Sequence, residues 1–171
     1  SCHGPAGASQ HDDMPIIGGQ SSKYIRDSLE SFQVWGRPCV KSLYRSGDTS
    51  RPKTDMCKIA GGLSAEDVEK LSEHYSNQPW VAASQEVDAG LAEAGAALHK
   101  QSCESCHAQG GTSSDSAGPR LAGQWLPYLK HALKFVPTGE HMVPPTMERK
   151  LDDLSAEDTM ALLNYYASQQ N

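Results

Sequence analysis

One short segment constrains this chain more than any other. Residues Cys103-Glu104-Ser105-Cys106-His107 form a Cys-x-x-Cys-His motif, the attachment signature of c-type haem. Two thiols about one helical turn apart can add across the two vinyl groups of one porphyrin. The histidine that follows is then placed beneath the iron. The motif therefore predicts covalently bound haem c, with Cys103 and Cys106 as thioether residues and His107 as the proximal iron ligand.

Two other chemistries of a Cys-x-x-Cys pair fit the chain less well. A redox pair is expected beside strands in a strand-helix-strand unit, and no stretch of this chain shows a convincing strand pattern. A structural zinc site needs four ligands, usually with a second cysteine pair at short spacing. The other cysteines, Cys2, Cys39 and Cys57, do not form such a pair. Haem attachment is thus the interpretation that the sequence favours.

The composition fits a core that is completed by a cofactor. Only 37% of the 171 residues are hydrophobic, and the mean hydropathy is −0.56. The net charge of −6 argues against a nucleic-acid binder, which needs a basic surface. No apolar run approaches the ~20 residues of a membrane-spanning helix. Because the chain lacks an initial Met and a basic-then-apolar start, we expect a processed or trimmed form without a membrane span.

An internal repeat divides the chain into two parts. At a shift of 104 residues the first third aligns with the last third, and at a shift of 91 Leu63–Asp67 is identical to Leu154–Asp158. The aligned pairs are Cys2 and Cys106, His3 and His107, Pro15 and Pro119, Gln20 and Gln124, Tyr24 and Tyr128, Met56 and Met147, and Tyr75 and Tyr166. The first copy contains 13 extra residues. We expect two related domains, 1–79 and 88–171, joined by a linker at 80–87.

The local patterns predict helices joined by loops. Apolar residues recur at helical spacing just before Cys103, so the haem motif is expected to end a helix. A short helix is predicted over Leu126–Phe135, with a proline near its start. Serine N-caps followed by an acidic residue three positions later predict closing helices over Ala65–Ser76 and Ala156–Ser168. The expected fold class is all-α.

The repeat also indicates which residues surround the haem in the second domain. A ligating imidazole needs a partner for its other nitrogen, and the carbonyl of Pro119 is the candidate for His107. The sixth ligand is expected to be a methionine sulfur, because Met/His ligation raises the reduction potential. Met142 and Met147 compete for this position. Met147 is favoured because only it has a repeat partner, Met56.

Other polar side chains are assigned less specific roles. Tyr24 and Tyr128, and with them Gln20 and Gln124, are predicted to touch the haem edge or a propionate, with helix packing as the alternative. Five histidines lack repeat partners of their own type and are predicted to be surface or ordinary packing residues: His11, His74, His99, His131 and His141.

The first domain leaves more alternatives open, because its haem motif is reduced to Ser1-Cys2-His3. The chain could continue upstream with a complete second motif, it could hold a haem by the single thioether of Cys2, or it could have lost the haem and kept the shell. His3, Pro15 and Met56 all stay in register. The sequence therefore favours a second haem, with Cys2 as a thioether residue, His3 and Met56 as iron ligands and Pro15 in the haem surroundings.

Cys39 and Cys57 lie in or beside the 13 extra residues, and we predict a disulfide between them. Such a bond would stiffen the chain next to Met56 and would suit an oxidising compartment. Two buried thiols are one alternative. A disulfide that uses Cys2 instead is another, and it would favour a first domain without haem.

The whole chain resembles the cytochrome subunits of flavocytochrome c sulfide dehydrogenases, and more widely the periplasmic dihaem class I cytochromes. The resemblance is carried by Leu98–His107, Leu121–Leu129 and Tyr165–Gln170, and it is looser in the first domain. It implies two tandem class I cytochrome c domains in the periplasm of a sulfur-oxidising bacterium.

The resemblance also implies partners. This chain would not be an enzyme by itself. It would be the electron-transfer subunit of a heterodimer, accept electrons from a larger flavoprotein with bound FAD that oxidises sulfide, and pass them to a soluble acceptor cytochrome. A free-standing periplasmic dihaem shuttle that feeds a terminal oxidase or reductase is the first alternative. A haem enzyme or gas sensor with a vacant sixth iron position is the second.

Overall fold

The computed structural model describes residues 1–115 and 118–170 and is built from helices. In chain order they are α1 (Ser22–Gln33), α2 (Met56–Ala60), α3 (Ala65–Ser76), α4 (Ala89–Leu98), α5 (Leu126–Lys134), α6 (Pro145–Asp152) and α7 (Ala156–Ser168). Within the described residues, extended chain pairs at a single isolated bridge, between Ser42 and Thr54. The predicted all-α fold is confirmed. Among these helices, none combines the length and the apolar character needed to cross a bilayer.

The two predicted closing helices, α3 and α7, are confirmed at the predicted residues. Each begins with a capping box, in which the hydroxyl of Ser64 or Ser155 accepts from the backbone N–H of Asp67 or Asp158, at 3.2 and 3.0 Å. The aspartate carboxylate in turn accepts from the serine N–H. These bonds satisfy amides at the helix start that have no intrahelical partner. The repeated pentapeptide therefore forms the same local structure twice.

Each half of the chain has its own hydrophobic core. In the first half, where α1 packs on α2 and α3, the buried residues are Ile25, Leu29, Ala60 and Val68. In the second half, where α7 packs on α4 and α5, they are Leu129, Leu162, Leu163 and Tyr166. Separate clusters of buried side chains are typical of two small domains.

In the second half, α4 crosses α7 at Gly95. A β-carbon at this position would lie 2.1 Å from the carbonyl oxygen of Ala161 and 2.8 Å from the β-carbon of Tyr165. Only glycine therefore allows the two helix backbones to approach this closely.

The segment that leads into the haem motif is not a continuous α-helix. α4 ends at Leu98 and is followed by one π-helical turn over His99–Cys103, with a 2.9 Å bond from the N–H of Glu104 to the carbonyl of His99. The prediction that the motif ends a helix is confirmed. Apolar spacing could not reveal the wider turn, which often marks a functional site.

The internal repeat is also visible in the backbone hydrogen bonds. The N–H of Gly19 donates to the carbonyl of Tyr75 at 2.9 Å, and that of Gly123 donates to the carbonyl of Tyr166 at 2.8 Å. Both glycines have φ in the left-handed region, at 75° and 77°, where glycine is favoured. Aligned residues of the two copies thus occupy equivalent positions in the fold.

The segment 80–87 between α3 and α4 contains no helix and lies along the second half of the chain. The N–H of Ala83 donates to the carbonyl of Gly123 at 2.7 Å. The side chain of Gln85 donates to the carbonyl of Gln124 at 2.9 Å and accepts from the N–H of Leu126 at 2.8 Å. These bonds hold the connection in place.

Candidate haem sites

The haem motif of the second half forms a compact turn. The N–H of Cys106 and that of His107 both point to the carbonyl of Cys103, at 3.1 and 2.9 Å. Cys103 is half-buried, Cys106 is exposed, and both thiols are free. The end of the π-helical segment and the turn that follows it thus place two thiols and one imidazole within five residues of the chain.

The ring of His107 is held in the form that can bind a metal. Its Nδ1 lies 3.1 Å from the carbonyl oxygen of Pro119. Because a carbonyl oxygen only accepts, Nδ1 carries the hydrogen and Nε2 keeps its lone pair. Burial lowers the pKa of His107, which favours this neutral form. A β-carbon at Gly118 would lie 2.5 Å from Cε1 of His107, so glycine is what lets the loop pack against the ring.

His3 has the same environment in the first half. Its Nδ1 lies 3.0 Å from the carbonyl oxygen of Pro15, and burial lowers its pKa. Cys2 beside it is a free, half-buried thiol whose Sγ lies 3.7 Å from the carbonyl of Leu43. The residues that the repeat aligns therefore share one geometry.

A cavity of about 510 Å³ opens beside His3. Its wall contains Cys2, His3 and Met56, and it extends to Pro119 and Tyr128 of the second half. The apolar side chains that line it include Met14, Ile16, Ile25, Leu29, Phe32 and Ile59. This volume and this apolar lining, with a few convergent polar groups, are typical of small-molecule and cofactor sites.

Arg37, which no sequence pattern indicated, lies on the wall of this cavity. Its guanidinium donates to the hydroxyls of Ser28 and Tyr24, at 3.1 and 3.4 Å, and Tyr128 is within hydrogen-bonding reach. Burial raises the pKa of Tyr128 to about 12, so this hydroxyl stays protonated at neutral pH. Among the described residues the Nε of Arg37 is buried and has no hydrogen-bond partner. A buried donor without a partner on a cavity wall suits an anionic ligand group such as a haem carboxylate.

The structure separates the two methionines that compete in the second half. Met142 is 69% exposed, and its N–H donates to the carbonyl of Gly36 in the first half at 2.9 Å. Met147 is half-buried within α6. In the first half, Met56 begins α2 and lines the cavity. These positions favour Met147 over Met142 as an iron ligand.

Cys39 and Cys57 are joined by a disulfide, with their Cα atoms 5.5 Å apart. The bond closes a separation of 18 residues and ends beside Met56. Cys2 is not used in a disulfide and is available to a cofactor.

His99 has a more specific environment than the sequence suggested. It is only 2% exposed, with Nδ1 2.9 Å from the hydroxyl of Tyr166 and Nε2 2.5 Å from a carboxylate oxygen of Glu104. Glu104 also accepts from two backbone amides. The hydroxyl of Tyr166 is within hydrogen-bonding reach of the thiol of Cys103, whose pKa is raised by burial. This hydrogen-bond network connects the haem motif to α7. His99 has no repeat partner of its own type, so the repeat could not predict it.

Gln20 and Gln124 cross between the two halves. Gln124 accepts from the N–H of Ile16 and donates to its carbonyl, both at 2.9 Å. Gln20 does the same with Arg120, at 3.0 and 2.8 Å. Both glutamines are buried, at 3% and 2% exposure. The two glutamines thus form a symmetric clamp on the backbone of the opposite half, which the sequence did not indicate. Both also line the cavity beside His3, so their predicted contact with a haem edge stays a prediction.

Comparisons with known proteins agree with this architecture. Residues 90–165 match the family described as Cytochrome C oxidase, cbb3-type, subunit III. The chain is 26% identical to cytochrome c4 of Azotobacter vinelandii, over 96% of this chain and 81% of that protein. Reduced recombinant cytochrome c4 from Pseudomonas stutzeri has the same fold, with a TM-score of 0.76 and 26% identity, over 98% of this chain and 91% of that one. A thiosulfate dehydrogenase from Marichromatium purpuratum shares the fold, with a TM-score of 0.74 and 24% identity, over 98% of this chain but 35% of that one.

The fold is that of a two-domain class I cytochrome c. The similarity in sequence and fold supports haem c as the cofactor and electron transfer as the role. Among proteins with this fold, the chain is similar to cytochrome c4 over nearly its whole length. The resemblance to the dihaem class I cytochromes is confirmed at this level. The narrower resemblance to a sulfide dehydrogenase subunit stays a prediction.

Proposed function

We propose that the chain is a two-haem electron shuttle of the periplasm. The iron ligands would be His3 and Met56 in the first domain and His107 and Met147 in the second, with Cys2, Cys103 and Cys106 as thioether residues. The observation that carries this proposal is the equivalence of His3 and His107. His107 is buried and His3 is half-buried, and each has Nδ1 bonded to a proline carbonyl, at 3.1 and 3.0 Å.

Haem c, when bound, supplies a one-electron couple at its iron. The carbonyls of Pro15 and Pro119 orient the imidazoles and keep Nε2 free for the iron. The apolar cavity wall excludes water, and the buried charge of Arg37 offers a partner for a haem carboxylate. With a histidine and a methionine both bound to the iron, each site would carry electrons and would leave no iron position open for a substrate.

A second candidate function is the electron-accepting subunit of an FAD-containing sulfide dehydrogenase, which would reduce a soluble acceptor cytochrome. An exposed apolar patch favours a protein partner of this kind. Val34 and Trp35 are each 73% exposed and Met142 is 69% exposed, and the backbone bond from Met142 to Gly36 brings them together. Trp35 also holds φ at 61°, an uncommon conformation for a residue other than glycine. Exposed apolar patches often mark protein interfaces.

Purification from the native source separates the two functions. Two haems per chain, no flavin and a particle of about the mass of one chain would support the free shuttle. One flavin per chain in a larger particle would support the sulfide dehydrogenase subunit instead. One haem per chain would contradict the assignment of Cys2, His3 and Met56 as a second haem site.

The methionine assignment has a direct test. Met147→Ala should open the sixth position of the second-domain haem, so that the reduced protein binds carbon monoxide, and the reduction potential should fall. Met142→Ala is the matched control and should leave both properties unchanged. If only the Met142→Ala protein bound carbon monoxide, Met142 and not Met147 would be the iron ligand.

A further inference from the structure

One peptide group connects His3 to the opposite domain. The carbonyl of Pro15 accepts from the Nδ1 hydrogen of His3 over 3.0 Å. The N–H of that same peptide group belongs to Ile16, and it donates to Oε1 of Gln124 over 2.9 Å. The order of contacts is therefore glutamine, peptide group, imidazole, with the glutamine supplied by the second domain.

The second domain repeats this arrangement in the opposite direction. The carbonyl of Pro119 accepts from His107 over 3.1 Å, and the N–H of the same peptide group, on Arg120, donates to Oε1 of Gln20 over 3.0 Å. Here the glutamine comes from the first domain. Two equivalent hydrogen-bond chains thus run in opposite directions across one domain boundary.

We propose that Gln20 and Gln124 are positioning residues that set the electron-donor strength of the proximal histidine in the opposite domain. Gln124 acts on His3, and Gln20 acts on His107. The part that concerns His3 rests on the proposed function, because that residue is an iron ligand only if the first domain holds a haem. The part that concerns His107 rests on the complete haem motif.

The physical basis is the polarisation of a peptide group by two hydrogen bonds. Resonance couples the N–H to the C=O of one peptide unit, and hydrogen bonds in a chain strengthen one another by about 10–30% each. A glutamine oxygen on the N–H therefore makes the proline carbonyl a stronger acceptor. A stronger acceptor on Nδ1 raises the basicity of the ligating Nε2, which favours the oxidised iron and lowers the potential.

The surroundings of the two glutamines support this role. Both side chains are nearly inaccessible, at 3% and 2% exposure, so water cannot easily replace the lost acceptor after substitution. The low local dielectric strengthens each bond. Their Nε2 atoms hold the domains together through the carbonyls of Ile16 and Arg120. A clamp alone would not predict that each glutamine affects the haem of the opposite domain.

The experiment measures both reduction potentials of the holoprotein by optical redox titration, in Gln20→Leu and in Gln124→Leu. Both substitutions are also made in a protein that carries Met147→His. The histidine should lower the reduction potential of the second-domain haem, so that the two potentials can be assigned to their domains. Gln20→Leu should raise the second-domain potential and Gln124→Leu the first-domain potential. We expect a shift of about threefold in the equilibrium constant for reduction, which is about 30 mV for one electron.

Two controls separate this role from simple domain docking. Trp125→Phe removes another bond between the domains, from the indole Nε1 to the carbonyl of Ser9 at 3.0 Å, and should leave both potentials in place. Gln20→Glu, measured in mildly acidic buffer where a buried carboxyl is protonated, keeps both an acceptor and a donor and should restore the wild-type potential.

The outcomes distinguish this inference from the proposed function. Unshifted potentials in both leucine variants, shifts in the variant's own domain, or an equal shift in Trp125→Phe would each overturn the inference, while two haems per chain would still support the shuttle. A single haem whose potential responds to Gln20→Leu would overturn the first-domain haem and leave the role of Gln20 intact.

Discussion

Replacing Gly95 by alanine adds one methyl group where α4 crosses α7. The new β-carbon would lie 2.1 Å from the carbonyl oxygen of Ala161 and 2.5 Å from its carbonyl carbon. These are backbone atoms, so no side chain can rotate away and the helices must separate. Overpacking typically costs about 1–3 kcal/mol, and a rigid backbone neighbour points to the upper end.

Alanine offsets part of this cost, because it is about 1 kcal/mol more favourable than glycine inside a helix. The expected net loss for Gly95→Ala is therefore about 2 kcal/mol of unfolding free energy. For a domain of this size, each 1 kcal/mol corresponds to about 4–8 °C in the melting temperature. The second domain should thus melt about 8–16 °C lower.

Circular dichroism of the holoprotein during heating measures this effect. Gly90→Ala in the same helix is the matched control, because its new β-carbon would only approach a carboxylate oxygen of Asp88 at 3.4 Å, an ordinary contact. The control should be unchanged or stabilised by up to about 1 kcal/mol. If Gly95→Ala melted at or above the wild-type temperature, the close approach of the two helices would not be a packing constraint and the reasoning would fail.

Three further predictions concern stability. Reducing the Cys39–Cys57 disulfide, which closes 18 residues, should cost about 3 kcal/mol, measured by urea titration with and without reductant. Asp158→Asn should make the unfolding free energy fall less steeply as the pH is lowered. The bonds from its N-cap serine hold the pKa of Asp158 below its usual value, so its contribution is present above the unfolded-state pKa and is lost as pH falls through the folded-state pKa. Tyr166→Phe should cost about 1–3 kcal/mol in urea, because it leaves Nδ1 of buried His99 without its partner.

Each of these predictions has an outcome that contradicts it. The disulfide estimate fails if reductant leaves the urea midpoint unchanged. An Asp158→Asn protein whose stability falls in acid as steeply as that of the wild type would show that the capping carboxylate does not couple folding to pH. A Tyr166→Phe protein of wild-type stability would indicate that water or a neighbouring group replaces the lost hydroxyl.

The sequence predicted those features that depend on neighbouring residues in the chain. The closing helices were predicted to the residue, because the serine cap and the acidic residue three positions later form their bonds within one turn. The orientation of His107 by Pro119 was predicted as well. His3 and Pro15 were recognised as the repeat partners of this pair, and the structure has the same bond between them.

Features that depend on the packing of the two halves could not be predicted in this way. Gln20 and Gln124 were recognised as a repeat pair, but their partners lie 100 and 108 residues away. Arg37 lies in the first copy near the extra residues, and nothing in its local sequence indicates a cavity wall. His99 lacks a repeat partner of its own type, so only the fold reveals its contacts with Tyr166 and Glu104.

The crossed glutamine bonds resemble the interface of a two-fold symmetric dimer. Gln124 contacts Ile16 and Gln20 contacts Arg120, so the same pair of aligned positions meets twice. Here both halves belong to one polypeptide. A dimer of separate subunits would dissociate on dilution, whereas the linker keeps the effective concentration of one half near the other constant. The two sites therefore remain paired, in a one-to-one ratio, at any concentration of the protein.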